Sequence, residues 1–113
     1  MTVDAKIKAA LSPFGDPVER SVYHGDAKRY YTFNYTTLAA DFGDDEPQHE
    51  RYLIQVHLFA PLNENILQQV RKTKKALRAA GFIYPDTRDS SDDDSRHIVF
   101  ESEIAEAVDY GED

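Results

Sequence analysis

The chain reads as an α+β domain in which a mainly antiparallel sheet of about four to five strands packs against one long helix, with a short helix at the N-terminus. Two observations carry that expectation. Runs rich in β-branched and aromatic residues follow one another mostly at hairpin-length spacing. One strongly periodic segment, Asn63 to Ala80, sets Ile66, Val70, Thr73, Leu77 and Ala80 at i, i+4, i+7 intervals. Helices segregated from strands imply a largely antiparallel sheet with a covered face. At 113 residues a single domain, 1–113, is expected.

Each element has its own local reason. Val3, Ile7, Ala10 and Leu11 recur at helical spacing behind Thr2, which is suited to cap the first turn, and Pro13 ends the pattern. Pro13, Gly15 and Pro17 make a connector. Val18 to Tyr23 is rich in strand formers and stops at the turn-like His24-Gly25-Asp26. Tyr30 to Thr37, with Tyr31, Phe33 and Tyr35 on one face, is a second strand expected to pair with the first as a hairpin. The acidic stretch Asp41 to Glu50, which contains Gly43 and Pro47, reads as an exposed loop. Arg51 to Phe59 alternates a wholly apolar set, Tyr52, Ile54, Val56 and Leu58, with a mixed one, Leu53, Gln55, His57 and Phe59, and is the expected central strand.

In the long helix Asn63 is placed to cap the first turn, Leu67 widens the apolar stripe and Gly81 stands where a C′ glycine belongs. Phe82-Ile83-Tyr84 then begins a strand, the acidic run Asp86 to Asp94 forms a loop, and Arg96 to Glu101 makes the last strand. Residues 102–113 read as an acidic tail, disordered or a frayed helix. No internal repeat and no low-complexity linker interrupts this order.

Composition narrows the function. Lys plus Arg total 13 against 21 Asp plus Glu, a net charge of -8, which disfavours sequence-specific nucleic-acid binding and anionic membranes. Mean hydropathy of -0.62 and the lack of a long apolar run point to a soluble domain, and an N-terminus that mixes Asp4, Lys6 and Lys8 among its apolar residues gives no signal-peptide pattern. With no cysteine, disulfides and thiolate chemistry are excluded and a reducing cytoplasm is the expected setting. Charge is segregated: acidic residues gather at 41–50, 86–94 and 101–113, and five of the 13 basic residues, Arg71, Lys72, Lys74, Lys75 and Arg78, fall in the long helix. Such polarity suits a partner surface or self-assembly, although cations near a helix C-terminus also complement its dipole.

Catalytic and cofactor patterns are not found. Neither GxGxxG nor GxxxxGK[ST] occurs, His24, His49, His57 and His97 form no HxxxH or HExxH, and no serine stands in a G-x-S-x-G context. The run Asp86 to Ser95 lacks the spacing and distal glutamate of a calcium loop. The expectation is therefore no catalytic residue, no metal and no cofactor, with His57 a half-buried, hydrogen-bonded sheet histidine.

The runs Val18 to Gly25, Tyr30 to Tyr35 and Arg51 to Phe59, the basic helix closing in Ala79-Ala80-Gly81-Phe82, and Arg96 to Phe100 together resemble the tail completion proteins of long, non-contractile-tailed bacteriophages and prophages, also described as tail terminators or tail-to-head joining proteins. The resemblance extends from about Pro17 to Glu101 and departs from the family in the very acidic 86–94 loop and the acidic tail. It implies a non-enzymatic virion assembly protein that forms a ring on the tail tube and joins it to the head. Implied partners are further copies of itself, the tail tube protein and the head connector or stopper protein, met first in the host cytoplasm and then in the virion. On this reading Arg71, Lys72, Lys74, Lys75 and Arg78 are interface residues on an exposed helix face. Some of Asp41, Asp44, Asp45, Asp92, Asp93 and Asp94 line the lumen or an axial face, where negative charge lets DNA pass. The alternative is a small cytoplasmic adaptor or regulatory protein with a ligand groove under the long helix.

Overall fold

The computed structural model describes residues 1–43 and 46–108. In chain order these form α1 (Val3–Leu11) running into a 3-10 turn (Ser12–Phe14), β1 (Val18–Arg20), β2 (Tyr30–Gly43), β3 (Glu46–Ala60), α2 (Leu67–Ala79), β4 (Asp86–Asp89) and β5 (Arg96–Ala107). The fold is α+β, a five-stranded mixed sheet in the order β1-β2-β3-β5-β4 with both helices on one face. Its longest dimension is 54 Å against 25 and 23 Å.

Period-two alternation builds the core. Tyr31 and Phe33 of β2, Ile54, Val56 and Leu58 of β3, and Phe100 of β5 are buried on the helix side, and the register sets Phe33 beside Val56 and Val56 beside Phe100. Val3, Ile7 and Leu11 of α1 and Leu77 of α2 close over them. Thr2 caps α1, its Oγ1 accepting from Ala5 N–H at 3.1 Å. β3 is central, as its two-faced alternation predicts.

Several expectations need correction. Both expected helices are present, but the second is not long: α2 starts at Leu67 and spans 13 residues, close to the reach of α1 with its 3-10 turn. The segment expected to form its first turn is used otherwise: Glu64 N–H donates to Pro61 O, the Glu64 carboxylate accepts from Arg29, and Asn65 Oδ1 accepts from Leu67 N–H. Gly81 does close the helix, at φ 103°.

The first two strands pair in parallel, Val18 beside Tyr31 and Arg20 beside Phe33. Residues 21–29, too long for a hairpin turn, carry the chain back to its starting level and lay Tyr23 on Tyr30 with ring centroids 4.5 Å apart. Gly25 is required there, since an added Cβ would overlap the Tyr23 ring while Tyr23 Oη accepts from Ala27 N–H.

The 41–50 stretch is mostly strand: β2 and β3 remain in register to Gly43 opposite Glu46. Phe82-Ile83-Tyr84 is not a strand; β4 lies in the acidic run instead, at Asp86–Asp89, where it pairs with β5. Strand β5 itself continues to Ala107, because Ile104 falls on the core face opposite Tyr52, so residues 102–107 are neither helix nor disordered. The remainder of the expected tail, 109–113, lies outside the described residues.

Candidate functional site

The α2 face turned away from the sheet carries the basic residues. Thr73 and Leu77 point inward and are buried, so helical geometry places Arg71, Lys72, Lys75 and Arg78 outside, all exposed. None forms an ion pair with another described residue, whereas Arg20, Arg29, Arg51 and Arg88 each hold a carboxylate, of Asp4, Asp16 and Glu64, Glu103 and Glu101 respectively. Lys74 departs from the expectation of a fully exposed set: it is half-buried, with Nζ 5.6 Å from the centre of the Tyr84 ring.

A polar chain under this helix fixes its position. Gln69 Nε2 donates to Tyr31 Oη at 3.0 Å, Tyr31 O–H to Thr73 Oγ1 at 2.7 Å, and Thr73 O–H to Gln69 O at 2.7 Å. Gln69 also donates to Asp16, which Arg29 ties to Glu64 at the head of the helix. Burial pushes the Tyr31 hydroxyl above its ordinary pKa, against the opposing pull of its bonds to Thr73 and Gln69.

The predicted acidic residues do not form one surface. Asp92, Asp93 and Asp94 are exposed at the turn between β4 and β5, beside Arg96. That turn is held by Asp92 Oδ1 accepting from Asp94 and Ser95 N–H, and by Asp92 N–H donating to Ser95 O. The N–H groups of Asp94 and Ser95 that donate to its carboxylate lower the Asp92 pKa. Asp41 lies in β2 at the other end, because β3 runs from Glu46 to Ala60 and Ala60 pairs with Arg96. Asp44 and Asp45 lie outside the described residues. Antiparallel register thus separates acidic stretches that the sequence groups by composition.

The opposite sheet face carries no helix. On it the rings of Tyr23, Tyr30, Phe59, His97 and His57 follow one another, with Tyr30–Phe59 stacked at 4.9 Å and Phe59–His97 at 4.2 Å. His57 Nδ1 and His97 Nε2 stand 2.7 Å apart in a hydrogen bond, and Asn34 Nδ2 lies 3.4 Å from His57 Nε2. Burial, then the charge of His97 and then that of Arg88, lower the His57 pKa; burial also lowers that of His97, opposed by Asp92 and Asp89. Two facing nitrogens at this separation hold one proton between them and resist a second. His57 was legible as a sheet histidine, but its partner was not, since only the β3–β5 register brings His97 alongside. Among the described residues no group of three or more His, Asp or Glu gathers as a metal site, and no helix is long and apolar enough to cross a membrane.

No family model and no curated protein matches the chain. Nine solved chains do match. One of them shares 12% identity and a TM-score of 0.62, over 97% of this chain and 96% of its own. That likeness is one of fold across nearly the whole of both chains.

Proposed function

We propose that this chain is a phage or prophage assembly protein that caps a long, non-contractile tail tube and joins it to the head connector as one subunit of a ring. The observation that carries the reading is the uncompensated cationic face of α2. Four exposed cations share one helix with no ion pair to another described residue, on a molecule whose net charge is -8 and whose other arginines are largely paired. A head-to-tail ring needs two different, complementary patches on each subunit. The α2 face supplies one, and the Asp92–Asp94 turn is the acidic patch we assign to the second or to an axial face. A negative surface along the passage would also avoid retaining DNA.

The adaptor reading finds less support. The space under the middle of α2 is filled by the Tyr31–Thr73 hydrogen bond and by buried Leu77, Phe82 and Phe100, and what remains is an open groove at the start of the helix, between Leu67 and Val70 on one side and Arg88 and Ile98 on the other.

Disrupting the gene in the parent phage or prophage and imaging the released particles tests the proposal. Filled heads separated from tails of abnormal length are expected. Intact virions in normal yield would remove the assembly role.

A further inference from the structure

Edge strands expose unpaired backbone groups, and folded proteins usually guard them with charge, proline, bulges or short length. One edge of this sheet is guarded in that way. Strand β4 has four residues, three of them Asp86, Arg88 and Asp89, and alongside β5 beyond it Ile83 N–H donates to Glu103 O. The opposite edge is different. Strand β1 covers β2 only from Tyr31 to Phe33, whereas β2 runs on to Gly43.

The direction of the free groups follows from two bonds. Tyr31 N–H donates to Pro17 O, and Phe33 O accepts from Ser21 N–H, so odd-numbered residues of β2 turn their backbone toward the β1 side. The two-residue period turns Tyr35, Thr37 and Ala39 the same way, and none of their outward groups has a backbone partner among the described residues. Thr36 to Ala39 are exposed, and Leu38 is 47% exposed. Thr36-Thr37-Leu38-Ala39-Ala40 holds no charge, proline or glycine, which leaves this central part of the edge without the usual guards, the first charge being Asp41 beyond it.

The geometry points to a second copy of this chain as the occupant, with β2 of one protomer pairing antiparallel to β2 of its partner along Tyr35–Gly43, centred on Ala39. The length of the free edge argues for self-pairing. A two-fold axis at Ala39 sets Tyr35 opposite the partner's Gly43 and Thr37 opposite the partner's Asp41. The partner strand therefore ends just short of Ser21, where β1 begins to occupy the edge. Leu38 then stands across from the partner's Ala40, an apolar pair on the helix-free face. This contact is isologous and closes at two copies. It is separate from the head-to-tail contact through α2 and does not depend on it.

Sedimentation of the full-length chain over a range of concentrations tests the assignment. A species of twice the 12.9 kDa chain mass is expected, strengthened between about 0.15 and about 1 M salt because two chains of charge -8 repel each other and the pairing itself is not ionic. Thr37→Pro removes an N–H that faces outward and leaves the β2–β3 ladder whole, so it should abolish the dimer while the far-ultraviolet dichroism stays unchanged. Ala39→Lys should do the same by charging the edge, and decides the matter if the proline variant fails to fold. Lys72→Glu with Lys75→Glu should leave the dimer intact. A monomeric wild-type chain, or a dimer that survives Ala39→Lys, would overturn the assignment. A dimer lost in the Lys72→Glu, Lys75→Glu variant would overturn it as well and move association to α2.

Discussion

Tyr31 shows how a single side chain joins the two layers. Its ring fills the core and its hydroxyl sits in a closed ring of hydrogen bonds with Thr73 and Gln69, so the sheet and α2 are held in one relative position. Tyr31→Phe keeps the ring but breaks two of those bonds, and should cost about 1–2 kcal/mol in urea unfolding with little change in the slope. The histidine pair sets a pH dependence. Both pKa values are lowered in the folded chain, so below the ordinary histidine value of 6.5 the unfolded chain binds more protons than the native one. Stability from this pair is therefore full above that value and falls as the pH drops below it. The melting temperature should fall between about pH 7 and pH 5, and His57→Gln, which keeps a polar group in the sheet without a titrating one, should flatten that fall.

Among the elements, α2 and the β2–β3 arm carry the consequences. Gly81 ends α2 in a left-handed conformation, with an added Cβ meeting nothing closer than Ile104 Cδ1 at 3.5 Å. Gly81→Ala should therefore destabilise by backbone strain alone, about 1–2 kcal/mol by thermal or urea melting, and not by a clash. Truncating the buried face of the same helix, Leu77→Ala, should cost about 2–5 kcal/mol, while its exposed cations should tolerate exchange within about 0.5 kcal/mol. The periodicity of α2, the cap on α1 and the two faces of β3 were all readable, because each depends on residues a few positions apart. The start of α2 was not, since Glu64 is drawn away by Arg29, which is 35 positions distant. Nor was the length of the arm: Asp, Glu, Gly and Pro at 41–50 look like loop residues, and only pairing across the hairpin makes strands of them.

For the molecule as a whole, segregation of charge is the feature with functional weight. Five of the 13 cations lie on α2, and the described acidic turn lies at one end of the sheet. On the proposed assembly role, reversing Lys72 and Lys75 together should leave the melting curve in place but weaken assembly with tail components, most clearly at low salt, where charge is least screened. Normal assembly of that variant at low and moderate salt would count against α2 as the contact face. These two positions are better choices than Lys74, whose stem is half-buried beside Tyr84 and whose replacement would also disturb packing.

The sequence by itself determined the α+β class, the central strand, the two amphipathic helices and the concentration of cations on one of them. All of these follow from spacing and composition along short stretches of chain. Tertiary structure alone decided the parallel pairing of β1 with β2, the meeting of His57 with His97, the separation of the acidic stretches to opposite ends, and the bare edge of β2 from Tyr35 onward. Each depends on strand register, where a shift of one residue exchanges the two faces of a strand. Register is set by the core as a unit, through contacts such as Phe33–Val56–Phe100 that join residues far apart in the chain.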